Sequence, residues 1–141
     1  HLIISDQDRK QIIHPDRKKI KVIPNGIDAS FFEEIKADKK FDLVFTTGVL
    51  IHQDPKVLNQ IYKKIFNLSK KYIYISEYFN PTPVMIEYRK NKNKLFKRDF
   101  AKELWQKYPR LKLLDYGFQW KEDPMLKNIS DNSNWFLFQK G

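Results

Sequence analysis

Glu77, His52 and the adjacent Thr46 and Thr47 carry most of the chemistry in this chain of 141 residues, which has three histidines and no cysteine. A carboxylate at the end of a strand can orient a hydroxyl or accept its proton, and Glu77 has Tyr78 and Asn80 beside it. His52 can serve as a base or hydrogen-bond a carboxylate or hydroxyl; it can equally satisfy a loop carbonyl. Thr46, Thr47 and Gly48 offer hydroxyls and a backbone that a flat ligand can approach, or else a tight bend with capping hydroxyls. Nothing in them resembles a phosphate-cradling glycine loop. Arg89, Lys97 and Arg98 form a candidate anion clamp, since guanidinium groups suit bidentate recognition of phosphate or carboxylate. A charge run is also the ordinary signature of a solvated face. With no thiolate, and with His1 and His14 lacking partners at ligand spacing, no metal site is expected.

The stretch FDLVFTTGVLIHQDP, residues 41–55, must position the first of these groups. Its apolar start predicts a buried strand over 41–45 that delivers the small residues at its C-terminal end. Asp54 and Pro55 read as a helix start. Val57, Leu58, Ile61, Ile65, Phe66 and Leu68 then recur at helical spacing to about residue 68, opposite Lys56, Gln60, Lys63 and Lys64. Tyr72 to Ile75 form a second strand that ends at Ser76 and Glu77. Strand, helix, strand is a right-handed crossover in a parallel sheet, and ligands of open α/β sheets sit at the C-terminal strand ends.

Asn80-Pro81-Thr82-Pro83 must be loop, because proline donates nothing to a ladder. Residues 84–97 show no clean period and are densely charged, which predicts a lid or substrate-facing excursion. Asp99 caps a helix to about Tyr108, stopped by Pro109. Strands follow over 111–118 and 135–138; with no long helix between them they are expected to pair antiparallel at the sheet edge. Trp120 and Trp135 cover a core edge, and Trp120 has a face for stacking on a sugar or base.

Lysine and arginine number 27 against 17 acidic residues, a formal charge of +10. Such a surface favours polyanions in general. No helix-turn-helix, zinc or aromatic-strand motif accompanies it, so a phosphate-bearing small substrate is expected before nucleic acid. No membrane-length apolar run and no signal peptide are visible, and a soluble cytoplasmic protein is expected. The chain opens on His1-Leu2-Ile3-Ile4, as if entering in mid-fold, and a fragment is expected.

FDLVFTTGVLIHQDP, YIYISEYFNPTP, LFKRDFA, LKLLDYGF and WFLFQK, in that order, resemble the C-terminal half of class I S-adenosylmethionine (SAM)-dependent methyltransferases. More narrowly they are similar to the methylases associated with pseudaminic acid biosynthesis. The resemblance covers residues 41–140 and implies a partial Rossmann-like α/β domain, three-layered and mostly parallel with an antiparallel last strand. It implies SAM as cofactor, with Thr46, Thr47, Gly48 and Val49 on the cofactor side. Glu77 and His52 then become candidate catalytic residues, and Tyr78, Asn80, Thr82, Arg89 and Arg98 face a sugar or sugar-nucleotide acceptor. The family's glycine-rich loop is absent ahead of residue 41, where Gly26 is the only glycine. A truncated, catalytically uncertain half-domain over 41–141 is therefore expected. Half a sheet exposes an apolar edge, which predicts self-association. Residues 1–40 form a separate N-terminal segment. Its SDQDRKQI and HPDRKKIKVIPNGIDASFF resemble part of a two-domain retaining glycosyltransferase; that segment otherwise supplies an early strand and the Asn25-Gly26 turn. The alternatives to a methyltransferase are a glycosyltransferase fragment or a non-catalytic, partner-binding remnant.

Overall fold

A computed structural model describes residues 40–88, 90–125 and 131–141. The readings made on residues 1–39, on Arg89 and on 126–130 lie outside the described residues.

Strand β1 (Phe41–Thr47) opens the described chain and buries Val44, Phe45 and Thr46. A short 3₁₀ turn (Leu50–His52) follows, then helix α1 (Leu58–Leu68) and strand β2 (Ser69–Tyr78). The helix starts three residues later than Asp54-Pro55 predicts. Asp54 instead accepts the Lys56 N–H through its Oδ1 at 2.9 Å, closing a separate turn before α1 begins. Helix α1 buries Leu58, Ile61, Tyr62, Ile65 and Leu68, as the 3.6-residue period requires. β1 and β2 pair in parallel, Val44 opposite Ile73 and Thr46 opposite Ile75, which is the predicted crossover unit.

Residues 84–97 are not an irregular excursion. They form a two-stranded antiparallel sheet of β3 (Val84–Tyr88) and β4 (Asn91–Lys97), with Met85 opposite Phe96 and Ile86 opposite Leu95. Leu95 is buried and pins the hairpin to the core, while Val84, Met85 and Ile86 stay exposed. Glu87, one of the charges that obscure a two-residue period, faces water.

Helix α2 (Phe100–Lys107) starts where Asp99 predicts, and the Asp99 side chain accepts the Lys102 N–H. Strands β5 (Lys112–Gln119) and β6 (Ser133–Gln139) complete a four-stranded sheet of order β1-β2-β6-β5. β6 runs antiparallel to both neighbours. The predicted late pair is therefore real, but its second strand lies inside the sheet. Pairing with β6 also lengthens β2, because Glu77 lies opposite Asn134 and Tyr78 opposite Ser133.

Alternation along β2 sends Ile73, Ile75 and Glu77 to one face and Tyr72, Tyr74 and Ser76 to the other. Both helices cover the first face: Ile73, Leu104 and Phe138 are almost wholly buried there with Leu58, Ile61 and Ile65. α1 and α2 are tied to each other by the Tyr62 hydroxyl, which donates to Glu103 at 2.8 Å, and by stacked Phe66 and Tyr108 rings 3.9 Å apart. On the other face the Trp135 indole lies on Gly117; a β-carbon there would meet the ring at 2.5 Å. Glycine is needed for that close approach. Leu114, Tyr116, Phe118 and Trp120 are exposed on and just beyond the edge strand β5. Among the described residues no helix is long and apolar enough to cross a membrane.

Candidate functional site

β1 and β2 point their C-terminal ends the same way, and the site residues gather there. Gly48 is the hinge between β1 and the 3₁₀ turn. Its φ of +62° lies in the left-handed region, and its N–H donates to the Ser76 carbonyl at 3.0 Å. Among the described residues, a methyl at Gly48 would meet no atom within 4 Å, so they leave this side of the loop open. Replacing Gly48 by alanine should therefore cost about 1–2 kcal/mol from backbone strain alone. Asparagine, which tolerates this region, should cost less; equal urea midpoints for G48A and the parent chain would contradict the loop geometry.

The two threonines do not act as a pair. Alternation places Thr46 toward the helices, buried, and Thr47 on the opposite face, half-buried. Thr46 Oγ1 has no regular hydrogen-bond partner, although the hydroxyl lies close enough to Glu77 to favour the carboxylate's charge.

Glu77 is 3% exposed at the end of β2. Its Oε1 accepts the Val49 N–H at 3.2 Å and its Oε2 the Ile51 N–H at 3.4 Å. The Leu50 N–H points the same way, so three consecutive amides form an anion nest around one carboxylate. Burial opposes the charge more than these donors favour it, and Glu77 is pushed up to about 7. The Tyr62 hydroxyl is pushed above its ordinary value, first by burial and then by Glu103.

His52 closes the 3₁₀ turn and is partly buried, next to Gln53, whose Nε2 donates to the Val49 carbonyl at 3.4 Å. On the β2 side, Tyr78 lies under the Lys97 ammonium, 5.5 Å from its ring centre. Asn80 Nδ2 donates to the Thr82 carbonyl and to Thr82 Oγ1, so those two residues hold the proline turn together. The two described cations of the candidate clamp each have a carboxylate: Lys97 pairs with Asp131, and Arg98 Nε bonds Glu103 Oε1 at 2.6 Å. Arg98 also lines a small pocket with Ile75, Glu77, Phe79, Phe100 and Asn134. Among the described residues no group of three or more His, Asp or Glu is placed to hold a metal ion.

Three participants escape a reading of the sequence. Ser76 acts on the loop through its backbone carbonyl, Gln53 sits buried in a non-periodic stretch, and Glu103 links α1, α2 and Arg98 from a face that looks solvated. No local pattern marks any of them.

No protein-family model matches the chain, and no curated protein matches it in sequence. Solved structures do match it. A 1,6-didemethyltoxoflavin-N1-methyltransferase of Burkholderia thailandensis, crystallised with S-adenosylhomocysteine, aligns at a TM-score of 0.62 and 12% identity. That alignment covers 99% of this chain and 70% of the other. A SAM-dependent methyltransferase of Methanosarcina mazei aligns at 0.54 and 14% identity, over 85% and 68% of the two chains. One from Archaeoglobus fulgidus aligns at 0.51 and 13% identity, over 99% and 86%. The chain has the class I SAM-dependent methyltransferase fold, a mostly parallel Rossmann-like sheet whose last strand is antiparallel.

Proposed function

We propose that this chain acts as a SAM-dependent methyltransferase, with residues 41–141 carrying the acceptor side of its site. The observation that carries the reading is the open glycine loop at the parallel β1–β2 ends, within that fold. SAM supplies a methyl group activated by a sulfonium. Thr47 and Gly48 fit its margin: Gly48 leaves an open side among the described residues, and half-buried Thr47 lies on the face away from the helices. Thr46 and Val49, both buried, would support the margin from beneath. The acceptor's hydroxyl or amine attacks that methyl in line, so the chain needs no covalent nucleophile and acts mainly by positioning. His52 is the candidate to take the acceptor's proton, and Tyr78, Asn80, Thr82, Arg89 and Arg98 are the candidates to bind the acceptor.

The acceptor we propose is a sugar or sugar nucleotide of the kind modified in pseudaminic acid biosynthesis. This rests on the resemblance of residues 41–140 and on the +10 charge, which suits a phosphate-bearing ligand. The fold does not choose an acceptor, since proteins sharing it are named for substrates as unlike as a toxoflavin precursor and magnesium protoporphyrin IX.

Calorimetric titration of the folded chain with SAM tests the reading, with a nucleotide-sugar as control. One saturable SAM site per chain or per dimer is the expected result. Binding of the nucleotide-sugar alone would favour the glycosyltransferase reading. Cooperative melting with no binding to either ligand would leave a non-catalytic remnant.

A further inference from the structure

We infer that Glu77 is a positioning residue whose carboxylate fills the amide nest of Val49, Leu50 and Ile51 and fixes the loop after β1. Its functional meaning rests on the methyltransferase reading, which puts that loop on the cofactor side. Its physical basis does not.

The nest is buried: Val49, Leu50 and Ile51 are 6%, 0% and 2% exposed. Amides enclosed to that degree cannot turn to water, and an unmet buried N–H is costly. Glu77 meets two of them from β2, at 3.2 and 3.4 Å, across 28 and 26 residues of sequence. The preceding residue of β2, Ser76, takes the Gly48 N–H. Two adjacent residues of β2 thus hold both the hinge and the turn of the loop. Among the described residues, the guanidinium lining the adjoining pocket is that of Arg98, and it directs its Nε to Glu103, so the loop amides provide the carboxylate's hydrogen-bonded neutralisation. Among the described residues, the pocket beside Glu77 measures about 10 Å³, room for about one water. A base acting on an acceptor needs the acceptor against it; an anchor needs only its amides.

The anchor also titrates in the neutral range, because burial pushes Glu77 up to about 7. Among the described residues, Arg98, just after β4, lines the pocket beside it, and Tyr62 of α1 interacts with it electrostatically; both are bonded to Glu103 of α2. Protonation removes one acceptor and creates a donor, for which buried Thr46 Oγ1, without a partner, is the acceptor at hand. Protonation of Glu77 therefore changes the hydrogen bonds that the Val49 and Ile51 amides donate.

Amide hydrogen exchange of the cofactor-free chain tests this by NMR. At pH 8, the Val49 and Ile51 amides should exchange at least about tenfold faster in Glu77→Gln, with Ile73 and Ile75 unchanged. In the parent chain, the Val49 and Ile51 amide shifts should move with an inflection near 7 that Glu77→Gln abolishes. Parental exchange rates at both amides in the variant would overturn the assignment. Should the variant lose its fold, the parental titration decides alone, and amides that stay still from about pH 5 to about pH 9 overturn it. None of these readouts needs SAM, so a failed calorimetric titration leaves them intact. Where SAM does bind, Glu77→Gln should weaken it by about tenfold through the released loop.

Discussion

Glu77→Gln should flatten the dependence of folding stability on pH between about pH 5 and about pH 8. Burial raises the Glu77 carboxyl from 4.5 to about 7 in the folded chain. Between those values the folded state holds a proton that the unfolded state has released. Stability therefore falls as pH rises through the window, by up to about 3 kcal/mol at ~1.4 kcal/mol per unit. Most Glu residues paired in a fold behave the other way, losing stability in acid. The sign here follows from desolvation outweighing the amides of Leu50, Val49 and Ile51 and the Thr46 hydroxyl. Glutamine carries no charge at either end of the range. Urea unfolding of both proteins at the two pH values isolates the effect, because every other titrating group is common to both. Parallel pH profiles would mean that the amide nest fully offsets desolvation and that Glu77 ionises at ordinary values in the fold.

Phe138→Ala should cost about 3–5 kcal/mol, a large part of the 5–15 kcal/mol that holds a domain together. Phe138 is 1% exposed on β6, opposite Ile73 of β2 and Leu113 of β5. Its ring meets Trp105 of α2 at 5.9 Å and Phe136 at 6.5 Å between centroids. Truncation leaves a cavity where the inserted antiparallel strand, the two strands flanking it and a helix converge. Surrounding side chains from four elements cannot all move into it, so little of the loss is recovered. The neighbouring Leu137 faces the other side and is half-buried, and Leu137→Ala should cost markedly less. Comparable urea midpoints for the two variants would place β6 at a sheet edge and not between β2 and β5.

Much of the framework was legible in residues near one another. Asp99 caps α2 because a carboxylate three residues before Lys102 reaches its N–H whatever surrounds the helix. The apolar period of residues 57–68 produces one buried face for the same local reason. An apolar strand, that helix and a second apolar strand leave few arrangements other than a right-handed parallel crossover. The segments resembling class I methyltransferases agree with the sheet the chain forms. The hairpin of residues 84–97 was missed because its order comes from cross-strand pairs and from Leu95 entering the core, while its composition reads as charged loop.

The amino-acid sequence by itself determined the elements other than the β3–β4 hairpin, the parallel β1–β2 unit, the glycine at the strand end and the set of polar residues gathered there. Each depends on backbone preference or on a periodicity carried within about a dozen residues. Tertiary structure decided how those residues divide the work. It separated Thr46 from Thr47 by one step of the pleat, gave Arg98 to Glu103, and slid β6 between β2 and β5. It turned Glu77 toward amides 26 and 28 residues away. The reason is physical: a buried carboxylate takes its partners and its proton affinity from whatever packs around it, and that environment exists only once strands distant in sequence have met.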